Sequence, residues 1–436
     1  MTKIYSFPRG GMIYEDKTVP TNNESVVAFL PALSVIPMIQ HSGNRAFPIV
    51  SPGDSVTEGM LIGSASGSGS ANIHATLPGK VIRSVSWKMS DGRINDALVI
   101  RLDGSFEKLG KRQEVFPWNS LPDYDIRRII SQYGIVEMEG SGRPVIDIIH
   151  EVQNSRGFTS LVVRCVFDDP WLIADRVLCH ERLAHIAEGA AITAKAAGAA
   201  QIIFAVSRGE EDLGRRFLQE AERYGLSVNM IVVGNKYPQR NKRELEIALR
   251  EYEKKENITI GTIFSLGPAT LAAILDAVKY KKPIMERYVA IGGSAVKHPK
   301  VMRVRIGTRI GEIFAECGGF IDQPKRIAAG SPIMGSVVVD LDEPVTKTTY
   351  AFFAFLEKQG HISKTRNCIS CGECRAVCPV GIDPEELFKF NHSGQINNDE
   401  IITRAKECHG CGCCDINCPS SIPLSISIQN LALRKK

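Results

Sequence analysis

Two stretches near the end of the chain, CISCGECRAVCP at residues 368–379 and CHGCGCCDINCP at residues 408–419, repeat one cysteine pattern. Each run has the spacing C-x2-C-x2-C-x3-C and closes with a proline. Of the 12 cysteines in the sequence, nine lie in the last 69 residues, and eight of these form the two runs. The question is whether they form disulfides, a zinc site, a redox nucleophile or iron–sulfur clusters.

The composition is that of an ordinary globular protein. The 436 residues predict two to four domains, and 44% of them are hydrophobic and 23% charged. The net charge of +5, from 53 basic and 48 acidic residues, is too small and too dispersed to favour a nucleic-acid partner. The first residues carry no apolar signal segment, and no window of about 18 apolar residues occurs. We therefore expect a cytoplasmic chain without a membrane span, whose thiols stay reduced rather than form disulfides.

The spacing of the two runs is that of two-cluster ferredoxins, in which the fourth cysteine of each run binds the other run's cluster. Three thiolates separated by two residues each allow a tight loop to hold three corners of a cubane, while the fourth is expected on the following helix and reaches across to the neighbouring cluster. We therefore predict two [4Fe-4S] clusters, each held by three cysteines of one run and the last cysteine of the other. The predicted ligands are Cys368, Cys371, Cys374 and Cys418 for cluster 1, and Cys408, Cys411, Cys414 and Cys378 for cluster 2.

Zinc is the alternative for these cysteines, because C-x2-C pairs are common in zinc sites. Zinc does not require two four-cysteine runs that each close with a proline, so the pattern favours iron–sulfur. Three glycines of the runs, Gly372, Gly410 and Gly412, are expected to let backbone amides approach the cluster sulfurs. Cys413 falls off the pattern and is expected to be a small buried residue rather than a ligand.

The rest of the chain predicts a multidomain α/β protein. Residues 1–115 contain two β-rich halves with Pro-Gly turns, PGDSVTEGMLIG and HATLPGKVIRSV, as in lipoyl-like barrel-sandwich domains. The segment at the tip, SGSGSAN at residues 66–72, has no lysine for a prosthetic group, so a structural barrel is expected. Residues 116–296 alternate strand and helix patterns and predict an α/β flavin-type domain with a mostly parallel sheet.

Two smaller units follow. Residues 297–350 return to β-rich pieces around one helix and predict a small β-grasp module. Residues 351–436 hold the cysteine runs and predict a two-cluster ferredoxin-like helical module. Between the runs, one helix is predicted to begin at Pro384 with Asp383 as its cap, and a second from Asn397.

Several other stretches, together with this domain order, resemble the RnfC subunit of Rnf ion-translocating ferredoxin:NAD+ oxidoreductases. The matching stretches are FPRGGMIYEDK, IPMIQHSGNRAFPIVSPGDSVTEGMLIG, ANIHATLPGKV, YPQ, VRIGT, CGG and both cysteine runs. The resemblance implies a peripheral subunit on the cytoplasmic side of the inner membrane that passes electrons through two clusters. It also implies FMN and NAD(H) bound in the α/β domain, integral membrane partners that translocate ions, and a ferredoxin, flavodoxin or NADH as electron partner.

The flavin loop departs from the family pattern. Where relatives read like G-I-V-G-L-G-G-A-G-F-P-T, this chain has GIVEMEGSGRPV at residues 134–145, with Glu137 and Glu139 in place of glycines and Arg143 in place of phenylalanine. The stretch RCVFDDP likewise keeps little of the family's second flavin motif. We therefore predict that FMN and NADH bind poorly or not at all, so that a dehydrogenase activity of the chain itself is doubtful. The remaining candidates for cofactor binding are Gly134, Gly140, Gly142 and Asp169.

The predicted function is electron transfer in a membrane-bound redox complex that couples ferredoxin/NAD-type chemistry to ion translocation. The alternative is a soluble oxidoreductase built from the same modules, such as a cobalamin reductase or the electron-transfer partner of a reductase. A redox-inactive relic is disfavoured because all eight candidate cluster ligands are present.

Overall fold

The computed structural model describes residues 3–21, 23–90, 92, 94–155, 157–356, 365–393 and 398–434. These residues form four sheets and a helical C-terminal part. The strands are β1 (Ile4–Tyr5), β2 (Ser25–Val27), β3 (Leu33–Pro37), β4 (Phe47–Pro48), β5 (Ser55–Val56), β6 (Leu61–Ser64), β7 (Ile73–His74), β8 (Gly79–Lys88), β9 (Ile94–Leu102), β10 (Thr159–Cys165), β11 (Gln201–Ser207), β12 (Ser227–Val233), β13 (Thr262–Leu266), β14 (Glu286–Gly292), β15 (Lys300–Arg305), β16 (Arg326–Ala329), β17 (Ser336–Val337) and β18 (Ala351–Phe355). The helices are α1 (Asp123–Gln132), α2 (Val145–Asn154), α3 (Ile173–Glu181), α4 (Leu183–Ala197), α5 (Glu211–Glu222), α6 (Lys242–Glu256), α7 (Pro268–Tyr280), α8 (Ile310–Glu316), α9 (Glu373–Ala376), α10 (Pro384–His392), α11 (Asp399–Ala405), α12 (Cys413–Ile416) and α13 (Leu424–Ala432).

Two sheets form the barrel-sandwich unit that the sequence predicts. Their strand orders are β3-β9-β8-β5 and β4-β6-β7. Inward-facing residues such as Ile36, Ile62 and Ile100 are fully buried in the core. The lysine-free tip is held in place, because the Gly69 amide donates to the Asp147 carboxylate of α2 at 2.9 Å. This contact agrees with a structural barrel rather than a swinging arm.

The α/β unit has a parallel five-stranded sheet in the order β1-β12-β11-β10-β13. Every residue of β10 and β11 is buried, as expected for parallel strands covered on both faces. Helix α6 covers one face with Leu245 and Leu249, and α4 and α7 lie in the core cluster of the other face. Five parallel strands therefore align their carboxyl ends on one side of this unit.

The β-grasp prediction corresponds to a six-stranded mixed sheet in the order β17-β16-β18-β14-β15-β2. Strand β14 pairs antiparallel with β15 and parallel with β18. Ile310 and Phe314 of α8 are buried in the main core cluster.

Several short strands lie outside the units that the sequence boundaries assign to them. β1 and β2, predicted within the barrel at 1–115, pair with β12 and β15 instead. β14, predicted in the α/β domain, and β18, predicted in the ferredoxin module, both belong to the six-stranded sheet. Boundaries read from composition miss such strands, because pairing between segments distant in the chain leaves no local signal.

The C-terminal part packs α10, α11 and α13 around buried apolar side chains such as Leu387, Ile402 and Leu431. Asp383 caps α10 as predicted, since its side chain accepts from the amides of Glu385 and Glu386. The second predicted helix is present as α11, and its predicted first residue, at position 397, lies outside the described residues. Over the ranges described, no helix is both long and apolar enough to cross a membrane.

Candidate iron–sulfur centres and the adjoining cavity

The two cysteine runs fold in the same way. Gly372 and Gly412 have positive φ angles of 80° and 75° and precede the one-turn helices α9 and α12. Two residues earlier, Ser370 and Gly410 also have positive φ angles, of 55° and 66°. Positive φ at these positions bends each loop sharply around its first three cysteines. The third cysteine lies on the one-turn helix and the fourth in the turn after it, whereas the sequence predicted the fourth on a helix.

The eight predicted ligands gather around two small cavities. One cavity is lined by the first three cysteines of the first run and the last cysteine of the second run. The other cavity is lined by the first three cysteines of that pattern in the second run and the last cysteine of the first run. The cysteines that meet are Cys368, Cys371, Cys374 and Cys418 at one cavity, and Cys408, Cys411, Cys414 and Cys378 at the other. This is the crossed arrangement that the spacing predicts, and four thiols on a cavity with apolar walls suit a [4Fe-4S] cluster.

Burial makes several thiols of the two runs difficult to ionise. Burial raises the pKa of Cys374 and of Cys408 to about 11 each, so these thiols need a cation to become thiolates at neutral pH. Cys413 is fully buried, as expected, and lines the cluster 2 cavity next to Cys414. Cys371, a predicted ligand of cluster 1, is exposed.

The N-terminal segment holds the first cysteine run in place. Gly10 has a φ angle of 61°, and a Cβ atom there would lie 2.6 Å from the carbonyl carbon and oxygen of Cys378. The Gly11 amide donates to the Val377 carbonyl at 3.0 Å, and the Met12 amide donates to the Tyr237 carbonyl at 2.9 Å. The segment therefore joins the cluster 2 ligand Cys378 to the α/β unit, a role that no sequence pattern showed.

A cavity of about 610 Å³ lies beside these centres, and we call it the α/β cavity. Its volume is within the usual range for cofactor sites. It is bounded by loop 134–145, the end of β10, the start of α6, β13 and the six-stranded unit. The lining residues are Glu137, Glu139, Gly140, Ser141, Arg143, Ile148, Glu151, Val152, Ser155, Arg164, Asp168, Asp169, Leu172, Tyr237, Arg240, Asn241, Lys242, Leu245, Glu246, Leu249, Thr262, Ile263, Phe264, Ser265, Ser331, Met334 and Tyr350.

The α/β cavity and the cluster 2 loop share a wall. The Tyr237 hydroxyl donates to the Cys411 carbonyl at 2.8 Å. A Cβ atom placed on Gly412 would lie 3.2 Å from the sulfur of Met334, which also lines the cavity. Asn241 at the start of α6 contacts His409 at 3.0 Å between side-chain nitrogens. These contacts place cluster 2 next to the cavity.

Buried carboxylates and guanidinium groups pair with one another in the cavity wall. Arg240 lies 3.2 Å from the Asp175 carboxylate, and its amide donates to Asp168 at 2.8 Å. Burial raises the pKa of Asp168 to about 7 and that of Asp169 to about 6. Both carboxyl groups are therefore harder to ionise than a carboxyl group in water.

The predicted flavin-loop residues separate into two pairs. Gly140 and Asp169 line the α/β cavity. Gly134 instead packs against the barrel, where a Cβ atom would overlap the Asn72 carbonyl oxygen. Gly142 also faces the barrel, and its carbonyl accepts the Ser42 amide at 3.0 Å.

The residues of loop 134–145 do not fit a flavin phosphate. The Glu139 carboxylate lies at the start of α7, where it accepts from the amide of Thr270 at 3.0 Å and from its hydroxyl. The Glu137 carboxylate lies 3.2 Å from Arg164. A Cβ atom at Gly140 would overlap this carboxylate. Both carboxylates therefore occupy donors that a phosphate would need.

Sequence reasoning missed several residues of this region. Tyr237 belongs to the stretch YPQ, which matched the family pattern but suggested no role. Arg240 and Thr270 lie in no recognised motif; Arg240 lines the cavity, and Thr270 contacts the lining residue Glu139, because the parallel sheet aligns the ends of its strands. Arg240 lies just before α6, and Thr270 lies in the first turn of α7.

Comparisons with known proteins agree with this organisation. The chain matches the RnfC barrel sandwich hybrid domain over residues 5–105 and the Nuo51 FMN-binding domain over residues 130–263. It matches the SLBB domain over residues 288–337 and the 4Fe-4S dicluster domain over residues 364–422. The last match confirms the iron–sulfur prediction over the zinc alternative. Fold and site together define an iron–sulfur electron-transfer protein with a flavin-type α/β domain.

Similar proteins narrow this class to one family. The chain is 32% identical over 395 residues to the C subunit of the ion-translocating oxidoreductase complex of Rhodobacter capsulatus, covering 89% of this chain and 75% of that protein. It is 28% identical over 383 residues to the C subunit of the proton-translocating ferredoxin:NAD(+) oxidoreductase complex of Clostridium ljungdahlii, covering 87% and 83%. The chain belongs to the family of C subunits of ion-translocating oxidoreductase complexes.

A solved structure shares the fold at low sequence identity. The NAD+-reducing [NiFe]-hydrogenase in its H2-reduced state aligns with a TM-score of 0.51 and 13% identity, over 73% of this chain and 61% of the hydrogenase chain. This likeness concerns the fold alone.

Proposed function

We propose that this chain is the peripheral electron-transfer subunit of a membrane-bound complex that couples ferredoxin/NAD-type electron transfer to ion translocation. The observation that carries the proposal is the crossed meeting of the eight cysteines at two adjoining centres, one of which shares a wall with the α/β cavity. The names of the relatives in Rhodobacter capsulatus and Clostridium ljungdahlii support the setting in a translocating complex.

The surroundings of the two predicted clusters bear on the electron path. Cluster 2 adjoins the α/β cavity through Tyr237 and Met334. Cluster 1 has the exposed ligand Cys371 at the surface. Clusters held by these cysteines would pass electrons between a partner docked near Cys371 and the rest of the complex, because a ligand at the surface shortens the distance to a docked partner.

The partners follow from the same setting. Integral membrane subunits would hold the chain on the cytoplasmic side of the cell membrane, and a ferredoxin, flavodoxin or NADH would exchange electrons with the complex. Similarity to the C subunits favours this function over that of a soluble cobalamin reductase or reductase partner.

An add-back experiment on native membranes tests the function. Washing with alkali should release the chain and abolish membrane-bound ferredoxin:NAD+ oxidoreductase activity, and purified chain should restore that activity. The Cys418→Ser variant should fail to restore it because cluster 1 loses a ligand, whereas the Cys413→Ser control should succeed. Activity that survives removal of the chain, or a chain found wholly in the soluble fraction with its native partners co-expressed, would contradict the proposal and favour the soluble alternative.

A further inference from the structure

The amino-terminal end of α7 is a favourable position for an anion, and the side chain of Glu139 occupies it. The first amides of a helix lack intrahelical partners and favour negative charge. Glu139 projects from loop 134–145 to this helix end, and its two carboxylate oxygens accept from the amide and the hydroxyl of Thr270. A Cβ atom at Gly267, which precedes the helix, would overlap the Glu139 carboxyl carbon. The carboxyl group thus already fills the space at this helix end.

A second anion-binding group in the α/β cavity is occupied in the same way. Arg164 lies in β10 with 8% of its side chain exposed, and a buried guanidinium on a cavity wall is a strong partner for phosphate or carboxylate. One oxygen of Glu137 lies 3.2 Å from this guanidinium. The other oxygen accepts from the Ser141 amide at 3.2 Å and from its hydroxyl at 3.0 Å. Donors of β10 and of loop 134–145 itself therefore already bind the Glu137 carboxylate.

The neighbouring cations are engaged within the chain as well. Arg143, which replaces the loop phenylalanine, forms an ion pair with Glu151 of α2. Arg240 contacts the Asp175 carboxylate and the backbone carbonyl of Glu139, each at 3.2 Å. These cations therefore have carboxylate partners already, before any ligand enters the cavity.

We propose that the carboxyl groups of Glu137 and Glu139 occupy the place of a flavin phosphate, so that this chain holds no FMN although residues 130–263 match an FMN-binding domain. A bound phosphate would have to displace these carboxyl groups from Thr270 and Arg164, and we expect this competition to weaken binding more than tenfold.

The proposal has a consequence for the electron donor, and this consequence rests on the proposed function. A nicotinamide transfers a hydride, which carries two electrons, whereas a [4Fe-4S] cluster accepts one electron at a time; a flavin ordinarily joins the two processes. Without FMN in this chain, NADH cannot reduce the clusters here. The electrons then come from a one-electron carrier protein of the ferredoxin or flavodoxin class.

Ligand binding to variants of the full-length chain tests the proposal. FMN and inorganic phosphate are titrated into the wild type, the Glu137→Gly/Glu139→Gly double variant and the control Glu246→Gln. The control removes one charge from the same cavity but leaves Thr270 and Arg164 occupied. The double variant should bind FMN more than tenfold more tightly than the wild type, and phosphate should raise its thermal stability, while the control should match the wild type.

Two results would overturn the proposal. One is a double variant that retains about eight iron atoms, and is therefore folded, but gains no affinity for FMN or phosphate. The other is a wild type that releases stoichiometric FMN on acid treatment after incubation with excess FMN, with NADH-dependent bleaching of its clusters. The wild-type measurement decides the matter even if the double variant fails to fold. The iron content is measured in the same samples, so failure here is distinguishable from failure of the cluster assignment.

Discussion

Replacing Gly10 by alanine should remove cluster 2 while leaving cluster 1 in place. The residue has a left-handed backbone with a φ angle of 61°, which costs a non-glycine residue about 1–2 kcal/mol. Alanine would also bring its Cβ atom to 2.6 Å from the carbonyl group of Cys378. That distance is below any ordinary contact, so the turn that carries Cys378 must move by several tenths of an ångström.

The displaced residue is the ligand that the first run contributes to cluster 2. Because metal sites require their ligands within about 0.2 Å of ideal distances, cluster 2 should assemble poorly. We expect the anaerobically purified variant to hold about four iron and four sulfide per chain, instead of about eight of each. Iron and acid-labile sulfide assays measure this, and electron paramagnetic resonance of the reduced protein counts the remaining cluster.

Gly198→Ala is the matched control for this variant. Gly198 ends α4 with a similar φ angle of 72°, and a Cβ atom there meets no other atom within 4 Å. This control therefore carries the backbone strain without the clash and should keep both clusters. Equal iron content in the two variants and the wild type would refute the role of the N-terminal segment. Equal loss in both would assign the effect to strain alone.

Three further predictions concern the clusters and the cavity. Cys418→Ser should remove the cluster held by the other run and halve the iron content, while Cys413→Ser should keep about eight iron atoms. If Cys418→Ser instead removed the cluster held by Cys408, Cys411 and Cys414, the crossed pairing would be refuted. Tyr237→Phe removes a hydrogen bond worth about 1 kcal/mol to Cys411, so a redox titration should show the potential of cluster 2 lowered by tens of millivolts and that of cluster 1 unchanged. Burial raises the pKa of Asp168 from 3.8 to about 7 in the folded state, so the stability contributed by its protonated form is lost as the pH rises from about 4 to about 7. Asp168→Asn should flatten the thermal stability over this range, and an unchanged pH profile would contradict the assignment.

Much of the site follows from local pattern. The cysteine spacing predicted the cluster type and the crossed pairing, because three thiols two residues apart constrain a short loop to one shape whatever surrounds it. The cap Asp383 and the proline after it predicted the start of α10 for the same local reason. The replacement of loop glycines by Glu137 and Glu139 predicted a defect in flavin binding.

The sequence by itself thus determined the kinds of modules and their order, and it named the candidate cluster ligands, since each depends on residues close together in the chain. Only the tertiary structure decided that Glu139 reaches the start of α7, more than a hundred residues away, and that Arg143 pairs with Glu151 rather than with a loop glutamate. It also decided that Gly10 contacts Cys378 and that Tyr237 joins the α/β cavity to cluster 2. Such contacts depend on how whole units pack, and packing between distant segments leaves no periodic or compositional trace in either segment.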